Sequence, residues 1–317
     1  MTRFDPAGPL RGSLRPPSDK SISHRAALIA AMGEGETEIS NYLEAADTGS
    51  TLAAVEALGA EVRQTDGLVI RGVGLRGAAP AMIDVGNAGT LLRLLPGWLA
   101  GQESGSWTLD GDASIRRRPV DRIAVPLRRM GANLHAREER LPPLEIEGTT
   151  LHGATYEMPI ASAQVKSCLL FAGLLAGGET RVVEPLPSRD HSERMLAAAG
   201  APVERVDDAV VVRPVEKLEP APIAVPADIS SAAFFVVAAS LVEGSEVVLG
   251  EVNVNPTRTG ILTILERMGA EIEREEEREQ SGEPTATLRV RSAPLQATGV
   301  GGAEIPLAID ELPLVAL

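Results

Sequence analysis

The apolar residues of this chain follow helical spacings that recur along its length. One ending appears four times: a run of apolar positions at helical spacing, then a glycine, then a short alternating stretch typical of a strand. The glycines are Gly59, Gly131, Gly200 and Gly269, separated by 72, 69 and 69 residues. Such a regular period predicts an internal repeat. We interpret each glycine as the left-handed residue that ends a helix.

Each copy holds two helices of different character. The first is apolar nearly all round, as in HRAALIAAM, which is typical of a helix enclosed by other elements. The second is amphipathic, with Leu52, Val55 and Leu58 on one face in the first copy. A strand pair follows, with a turn predicted at Asp66 and Gly67. The repeated unit is therefore predicted to be helix, strand, helix, strand, strand, in an α/β (α+β) fold.

Two further apolar segments lie near the end of the chain. The run AAFFVVAASLV from Ala232 is shorter than the roughly 20 residues of a membrane helix, and we expect it to be a buried core helix. The segment IDELPLVAL from Ile309 would open a fifth unit and stop within its first helix. We therefore expect the natural protein to be longer and this chain to be truncated at its C-terminus; the alternative is that the segment packs as a C-terminal cap.

Composition argues against several classes of protein. A net charge of −14 disfavours nucleic-acid and anionic-membrane partners, which select for basic surfaces. The single cysteine, Cys168, allows no intrachain disulfide, and four scattered histidines do not suggest a metal site. The beginning MTRFDPAGPLRG lacks the apolar region of a signal peptide, so we expect a cytoplasmic protein.

Basic and hydroxyl groups lie at the predicted starts of the first two units. SDKSISHRAAL places Lys20, Ser21 and Arg25 at a helix start, where backbone N–H groups and the helix dipole favour an anion. DVGNAGTLLRLL places Gly89 in a turn that lets the backbone approach a ligand, followed by Arg93. A phosphorylated ligand suits both segments. The alternative interpretation is an ordinary capped helix with solvated charges.

The third unit repeats this arrangement. ASAQVKSCLL presents Ser162 and Gln164 as uncharged hydrogen-bonding groups, with Lys166 behind them. In SRDHSERML, Ser188 and Arg189 again place a hydroxyl and a cation near a helix start. If the helix starts of repeated units point to one place, they form an electropositive cleft in an acidic protein.

Six motifs occur in one order along the chain: SDKSISHR, GNAGTLLR, RRRP, ASAQVKS, SRDHSER and IDELP. Together they resemble the motif series of the 3-phosphoshikimate 1-carboxyvinyltransferases, or EPSP synthases. The resemblance implies a two-domain inside-out α/β prism, each domain having three repeated units about a pseudo-threefold axis. It divides the chain into a complete domain at 15–225 and an incomplete one at 1–14 plus 226–317, with the family's last third missing.

The resemblance also implies the reaction and its residues. Members transfer the enolpyruvyl group of phosphoenolpyruvate to the 5-hydroxyl of shikimate 3-phosphate without metal or organic cofactor, and a monomer is expected. The residues implied for shikimate 3-phosphate are Lys20, Ser21, Arg25, Ser162, Ala163, Gln164, Ser188, Arg189 and Asp310. Those implied for phosphoenolpyruvate are Lys20, Gly89, Arg93, Arg118 and Gln164. Asp310 and Lys20 are the implied catalytic residues, with Asp310 as proton acceptor.

Two other functions stay open at this stage. The sister enzyme UDP-N-acetylglucosamine 1-carboxyvinyltransferase shares the fold and commonly uses a loop cysteine, whereas Cys168 lies in an apolar helix and reads as a small core residue. A non-catalytic shikimate 3-phosphate binding protein is the other alternative. From the predicted truncation we expect this chain alone to be inactive but to keep weak shikimate 3-phosphate binding.

Overall fold

Helices and strands alternate along the chain in the order that the repeat predicts. The computed structural model describes residues 8–65 and 67–317. Asp66 and residues 1–7 lie outside the described residues. The turn predicted at Asp66, the cytoplasmic prediction and part of one predicted domain fall on these residues. The chain divides into one unit at Lys20–Val225 and another that combines the described part of Met1–Asp19 with Pro226–Leu317.

The bounds of the elements follow in chain order. The helices are α1 (Lys20–Met32), α2 (Ala46–Ala57), α3 (Gly89–Ala100), α4 (Asp121–Arg129), α5 (Ala163–Gly173), α6 (His191–Ala198), α7 (Ile229–Leu241), α8 (Gly260–Arg267), α9 (Ile305–Ala308) and α10 (Leu312–Ala316). The strands are β1 (Arg11–Leu14), β2 (Glu36–Ser40), β3 (Glu61–Gln64), β4 (Leu68–Arg71), β5 (Ala81–Asp84), β6 (Ser106–Asp110), β7 (Asn133–Arg137), β8 (Leu141–Glu147), β9 (Thr155–Glu157), β10 (Thr180–Val183), β11 (Val203–Val206), β12 (Ala209–Val212), β13 (Ile223–Ala224), β14 (Glu246–Asn253), β15 (Glu271–Gln280) and β16 (Glu283–Arg291).

The predicted order of helix, strand, helix, strand, strand is confirmed in all four copies. The repeated glycines have the left-handed backbone that ends a helix, with φ of +101° at Gly59, +95° at Gly131, +87° at Gly200 and +99° at Gly269. Glycine lacks a Cβ and adopts this conformation without steric cost, which explains its recurrence at this position. The sequence period is thus a structural period.

Each sheet contains a fourth strand that the repeat did not predict. In the Lys20–Val225 unit the strand orders are β13-β2-β4-β3, β5-β6-β8-β7 and β11-β12-β10-β9. The additional strand pairs in parallel with the first strand of a copy: β5 with β6, β9 with β10 and β13 with β2. Because β13 ends the third copy and β2 belongs to the first, this pairing links the three copies in a closed cycle.

Helices α1, α3 and α5 lie inside this unit, as predicted for helices that are apolar nearly all round. The residues of these helices that are not buried all lie within the first five positions of their helix: Lys20, Ser21, Thr90, Arg93, Ala163 and Gln164. All remaining residues of the three helices are buried. Helices α3 and α5 approach so closely that a Cβ added to Gly97 would lie 2.0 Å from the carbonyl oxygen of Cys168. Beyond their first two turns these helices are therefore enclosed by apolar packing.

The other unit is built on the sheet β1-β14-β16-β15, with β1 parallel to β14. Helix α7 packs on this sheet and on α10. The prediction that AAFFVVAASLV is a buried core helix is wrong for one face, since Phe234 is 63% and Leu241 47% exposed. The sheet and α10 cover only the side that carries Ala232, Ala233 and Val236. No helix among residues 8–65 and 67–317 is both long and apolar enough to cross a membrane.

The close approach of α3 and α5 makes Gly97 sensitive to substitution. Gly97→Ala places a methyl group against the backbone of Cys168, and overpacking of this kind costs about 1–3 kcal/mol of stability. We expect a lower Tm and a lower urea midpoint. Gly49→Ala is the matched control: Gly49 is exposed in α2 with no atom within 4 Å of an added Cβ, so the change is neutral or stabilising. Equal stability of the two variants would contradict this packing.

The thiol of Cys168 is expected to be unreactive in the folded protein. Its side chain is fully buried, and burial raises the pKa of the thiol well above its ordinary value, which suppresses the reactive thiolate. Ellman's reagent at pH 8 should label no thiol in the native chain and one per chain in denaturant. Rapid labelling of native protein, at a rate independent of unfolding, would show this environment to be wrong.

Candidate active site

The starts of the three enclosed helices meet through polar side chains. At the beginning of α5, the Gln164 Nε2 donates to Thr90 Oγ1 of α3 at 3.2 Å. Farther along α5, Ser167 Oγ accepts a hydrogen bond of 2.9 Å from Nη2 of Arg25 in α1. N-terminal helix ends carry unsatisfied N–H groups and a partial positive charge. Three such ends in contact favour an anionic ligand.

Arg25 is the most constrained cation of this group. Its side chain is buried, and its Nε donates to Ser192 Oγ at 2.7 Å while its Nη1 donates to the Ser21 carbonyl at 2.9 Å. Ser192, at the start of α6, also donates to Ser167 Oγ at 2.6 Å. These hydrogen bonds to oxygen atoms hold the guanidinium in place. Arg25 is therefore a fixed positive charge where α1, α5 and α6 meet.

Lys20 is held more loosely. About half of its side chain is exposed, and Nζ lies 3.3 Å from Asp47 Oδ2. An exposed ion pair of this kind contributes at most about 1 kcal/mol. The ammonium group can therefore turn from Asp47 to a bound anion at small cost.

Gly89 lies against two guanidinium groups. A Cβ at this position would be 2.6 Å from Nη1 of Arg118 and 3.0 Å from Nη1 of Arg93. Arg118 is oriented by its Nη2, which donates to Asn87 Oδ1 at 2.6 Å. The absence of a side chain on Gly89 lets both cations reach the start of α3, and any larger residue would displace them.

The charge of Arg93 is poorly compensated. Burial, followed by repulsion from Arg122 and Arg118, lowers the pKa of Arg93 to about 10. Its Nε is buried and has no hydrogen-bond partner among the described residues. Cations that have lost water and gained no counter-ion bind an incoming anion strongly, because the low local dielectric magnifies the attraction. This cluster is suited to a carboxylate or a phosphate.

Two further predicted segments flank these helix starts. Ser162 caps α5, and its Oγ accepts from the amide of Val165 at 3.4 Å; Ala163 is the first residue of the helix. Ser188 and Arg189 lie in the segment between β10 and α6, where the amide and hydroxyl of Ser188 donate to Glu184. These segments bring hydroxyl, amide and cationic groups to the ends of α5 and α6.

Asp310 belongs to the other unit. It lies in the turn between α9 and α10 and is exposed. The helix that was expected to begin near Asp310 begins instead at Leu312. The next residue, Glu311, is buried and accepts a hydrogen bond from the Ser230 hydroxyl. Arg258 donates to the same hydroxyl at 2.7 Å. A hydrogen-bonded network therefore anchors the residue beside Asp310.

Several residues that shape the site were not predicted from the sequence. Thr90, Ser167 and Ser192 orient Gln164 and Arg25, and Asn87 orients Arg118. The available signal was a small hydroxyl residue within an otherwise apolar helix, as with Ser167 in KSCLL. Buried hydroxyl groups need partners, so such a residue indicates a polar neighbour without saying which one.

Comparisons with known proteins agree on one family. The family model described as EPSP synthase (3-phosphoshikimate 1-carboxyvinyltransferase) matches residues 4–317. A 3-phosphoshikimate 1-carboxyvinyltransferase of Alkalilimnicola ehrlichii is 52% identical over 318 residues, covering 98% of this chain and 70% of that protein. One from an Anaeromyxobacter species is 53% identical over 310 residues, covering 97% of this chain and 72% of that protein.

A solved structure gives the same result. EPSP synthase from Acinetobacter baumannii superposes with a TM-score of 0.88 at 43% identity, covering 97% of this chain and 71% of that one. The predicted α/β fold class is confirmed. The expected C-terminal truncation is not borne out by these matches. On sequence and structure, the chain belongs to the EPSP synthase (3-phosphoshikimate 1-carboxyvinyltransferase) family.

Proposed function

We propose that the protein transfers the enolpyruvyl group of phosphoenolpyruvate to the 5-hydroxyl of shikimate 3-phosphate and releases phosphate. The observation that carries this proposal is the group of cations at the starts of α1 and α3, with Arg25 held by hydrogen bonds and Arg93 and Arg118 lying beside Gly89. Both substrates are phosphorylated anions, and the names of the relatives supply the chemistry. The 5-oxygen bonds to C2 of phosphoenolpyruvate as its methylene is protonated, and loss of phosphate and a proton then restores the double bond.

The shikimate 3-phosphate site is proposed at the ends of α1, α5 and α6. Arg25 supplies a fixed charge there and Lys20 a movable one. Hydroxyl, amide and backbone groups complete the set, together with the cation of Arg189; the remaining proposed residues are Ser21, Ser162, Ala163, Gln164 and Ser188. Asp310 is proposed as the proton acceptor for the attacking hydroxyl, because a carboxylate is one of the side chains that act as a general base.

The phosphoenolpyruvate site is proposed at the start of α3. Arg93 and Arg118 lie beside Gly89, and their planar guanidinium groups match a carboxylate or phosphate through paired hydrogen bonds. Gln164 reaches this helix end through Thr90, and Lys20 is proposed to contact both substrates. Desolvated cations that are in place beforehand stabilise the charge that develops as phosphate leaves.

The sister activity on UDP-N-acetylglucosamine is less well supported. A cysteine acting near phosphoenolpyruvate must be accessible, whereas Cys168 is fully buried against Gly97. We further propose the domain division 15–225 and 1–14 plus 226–317, supported by the two units of the structure. A monomeric cytoplasmic enzyme without a cofactor is part of the same proposal.

Turnover by the chain as printed is the direct test of this function. Phosphate release is measured with both substrates and with each alone, and shikimate 3-phosphate binding is measured by calorimetry. Release that requires both substrates supports the proposed transfer and contradicts the expected inactivity of this chain. Binding without release supports that expectation and a binding role. A chain that is folded by circular dichroism but neither binds nor turns over would contradict the proposal.

The three consecutive arginines before Pro119 should differ in importance. Arg118 lies beside Gly89, whereas Arg116 is exposed and pairs with Asp110 at 2.7 Å. We expect Arg118→Ala to weaken phosphoenolpyruvate binding by about 10- to 100-fold through loss of a charge-assisted pair, and Arg116→Ala to leave it within about twofold. Fluorescence or calorimetric titration in the presence of shikimate 3-phosphate ranks the two. A larger effect of Arg116→Ala would show the assignment to be wrong.

A further inference from the structure

A buried group of charges joins α5 to the segment between β10 and α6. The side chains of Lys166 and Glu184 are both 0% exposed, and Lys166 Nζ donates to Glu184 Oε2 at 3.0 Å. The same Nζ lies 2.7 Å from Oε1 of Glu193 in α6 and donates to the Ser188 carbonyl at 3.3 Å. Glu184 Oε2 also accepts from Arg205 Nη1 at 3.2 Å. We name this group the Lys166–Glu184 cluster.

Lys166 is not placed to bind a substrate. An ammonium group has three N–H bonds. Lys166 has three oxygen neighbours, from Glu184, Glu193 and Ser188, and its side chain is sealed from solvent. A phosphate could bind Lys166 only by displacing one of these oxygens and entering the core. The lysine therefore acts on the protein itself.

Ser188 is held on all of its polar groups by this cluster. Its amide donates to Glu184 Oε1 at 3.2 Å, its hydroxyl donates to the same oxygen, and its carbonyl accepts from Lys166. Fixing both N–H and C=O of one residue fixes the backbone on either side of it. The adjacent Arg189 is therefore carried on a segment whose course is set by Lys166 and Glu184.

The cluster also lies directly beside the Arg25 contacts. Lys166 and Ser167 are neighbours in α5, and Ser167 accepts a hydrogen bond from Arg25. Ser192 of α6 accepts a hydrogen bond from Arg25 and donates one to Ser167. One turn of α5 therefore binds both the Arg25 guanidinium and the segment that ends at α6. Displacement of this segment would move Arg189 and the Ser192 contact of Arg25 together.

Stability alone does not account for such a cluster. A fully buried ion pair gains little net free energy, since the loss of hydration offsets the attraction, and well-packed apolar residues often serve equally well. What a buried pair with directed hydrogen bonds supplies is a fixed geometry. That geometry is useful where a loop must present a cation and backbone groups to a ligand.

We propose that Lys166 and Glu184 are positioning residues for the shikimate 3-phosphate site, holding the segment 184–190 so that Arg189 meets the ligand's phosphate. This inference rests on the proposed function. It assigns to both residues a role in ligand affinity without any contact with the ligand.

The three lysines of the chain provide a matched test, since each can be replaced by methionine of similar length. Lys166→Met removes the centre of the Lys166–Glu184 cluster, and Lys20→Met removes a residue proposed to contact shikimate 3-phosphate directly. Lys217→Met is the control, because Lys217 is about half exposed and pairs only at the surface with Glu219. Calorimetry gives the dissociation constant for shikimate 3-phosphate and the number of sites per chain. Thermal unfolding of each variant is followed in parallel.

We expect Lys166→Met to raise the dissociation constant by about 10- to 100-fold at an unchanged number of sites, the scale of a displaced positioning group. Lys217→Met should match the wild type. Misfolding alone would lower the number of sites and leave the dissociation constant of the remaining folded fraction unchanged. Where turnover is measurable, the KM for shikimate 3-phosphate should rise and that for phosphoenolpyruvate should not.

Glu184→Gln is the second, milder variant, because it keeps an oxygen for Ser188 and removes the charge. It should weaken binding by about tenfold. Wild-type affinity in Lys166→Met or Glu184→Gln would overturn the proposal, and so would loss of cooperative unfolding in both, which would make the cluster purely structural. If the wild type and Lys217→Met themselves fail to bind, the proposed function has failed instead.

Discussion

The close packing of α1, α3 and α5 is the constraint on which the rest of the larger unit depends. At Gly97 the backbones of α3 and α5 are in contact, and the sides of all three helices are buried. Solvent can then reach these helices only at their starts. The polar side chains of these helices lie in the first two turns, near the N-terminal ends where the helix dipole favours anions. This packing therefore favours a ligand site at the helix starts and a negative charge on the ligand.

Burying cations near those ends has a cost that the structure meets in two ways. Arg25 and Lys166 are held by hydrogen bonds: Arg25 donates to the hydroxyls of Ser192 and Ser167, and Lys166 donates to the Glu184 carboxylate and the Ser188 carbonyl. Arg93 is left partly uncompensated, and its pKa falls to about 10. The first arrangement gives rigidity, and the second leaves an attraction that only an incoming anion can satisfy. The ligand thus supplies an interaction that the folded chain lacks.

The sequence predicted the repeated units but not the additional strands that join one unit to the next. The repeated glycines and helical spacings were sufficient for the order of elements, because both reflect local geometry. Strands β9 and β13 have three and two residues, too short for an alternating pattern to identify. The exposed face of α7 was missed because its composition is apolar on every side. The pairing of Lys166 with Glu184 spans 18 residues and depends on tertiary packing, which no local pattern encodes.

The acidic composition and the cationic site are compatible because charges act over short distances. Many carboxylates of the other unit are neutralised locally: Arg289 pairs with Glu246 and Glu275, and Arg291 with Glu273. Exposed charges are screened within about 10 Å at ordinary salt. Buried or partly buried guanidinium groups, such as those of Arg25 and Arg93, are screened much less. Net charge therefore disfavours extended polyanions as partners, while the few desolvated cations at the helix starts favour a small anion there.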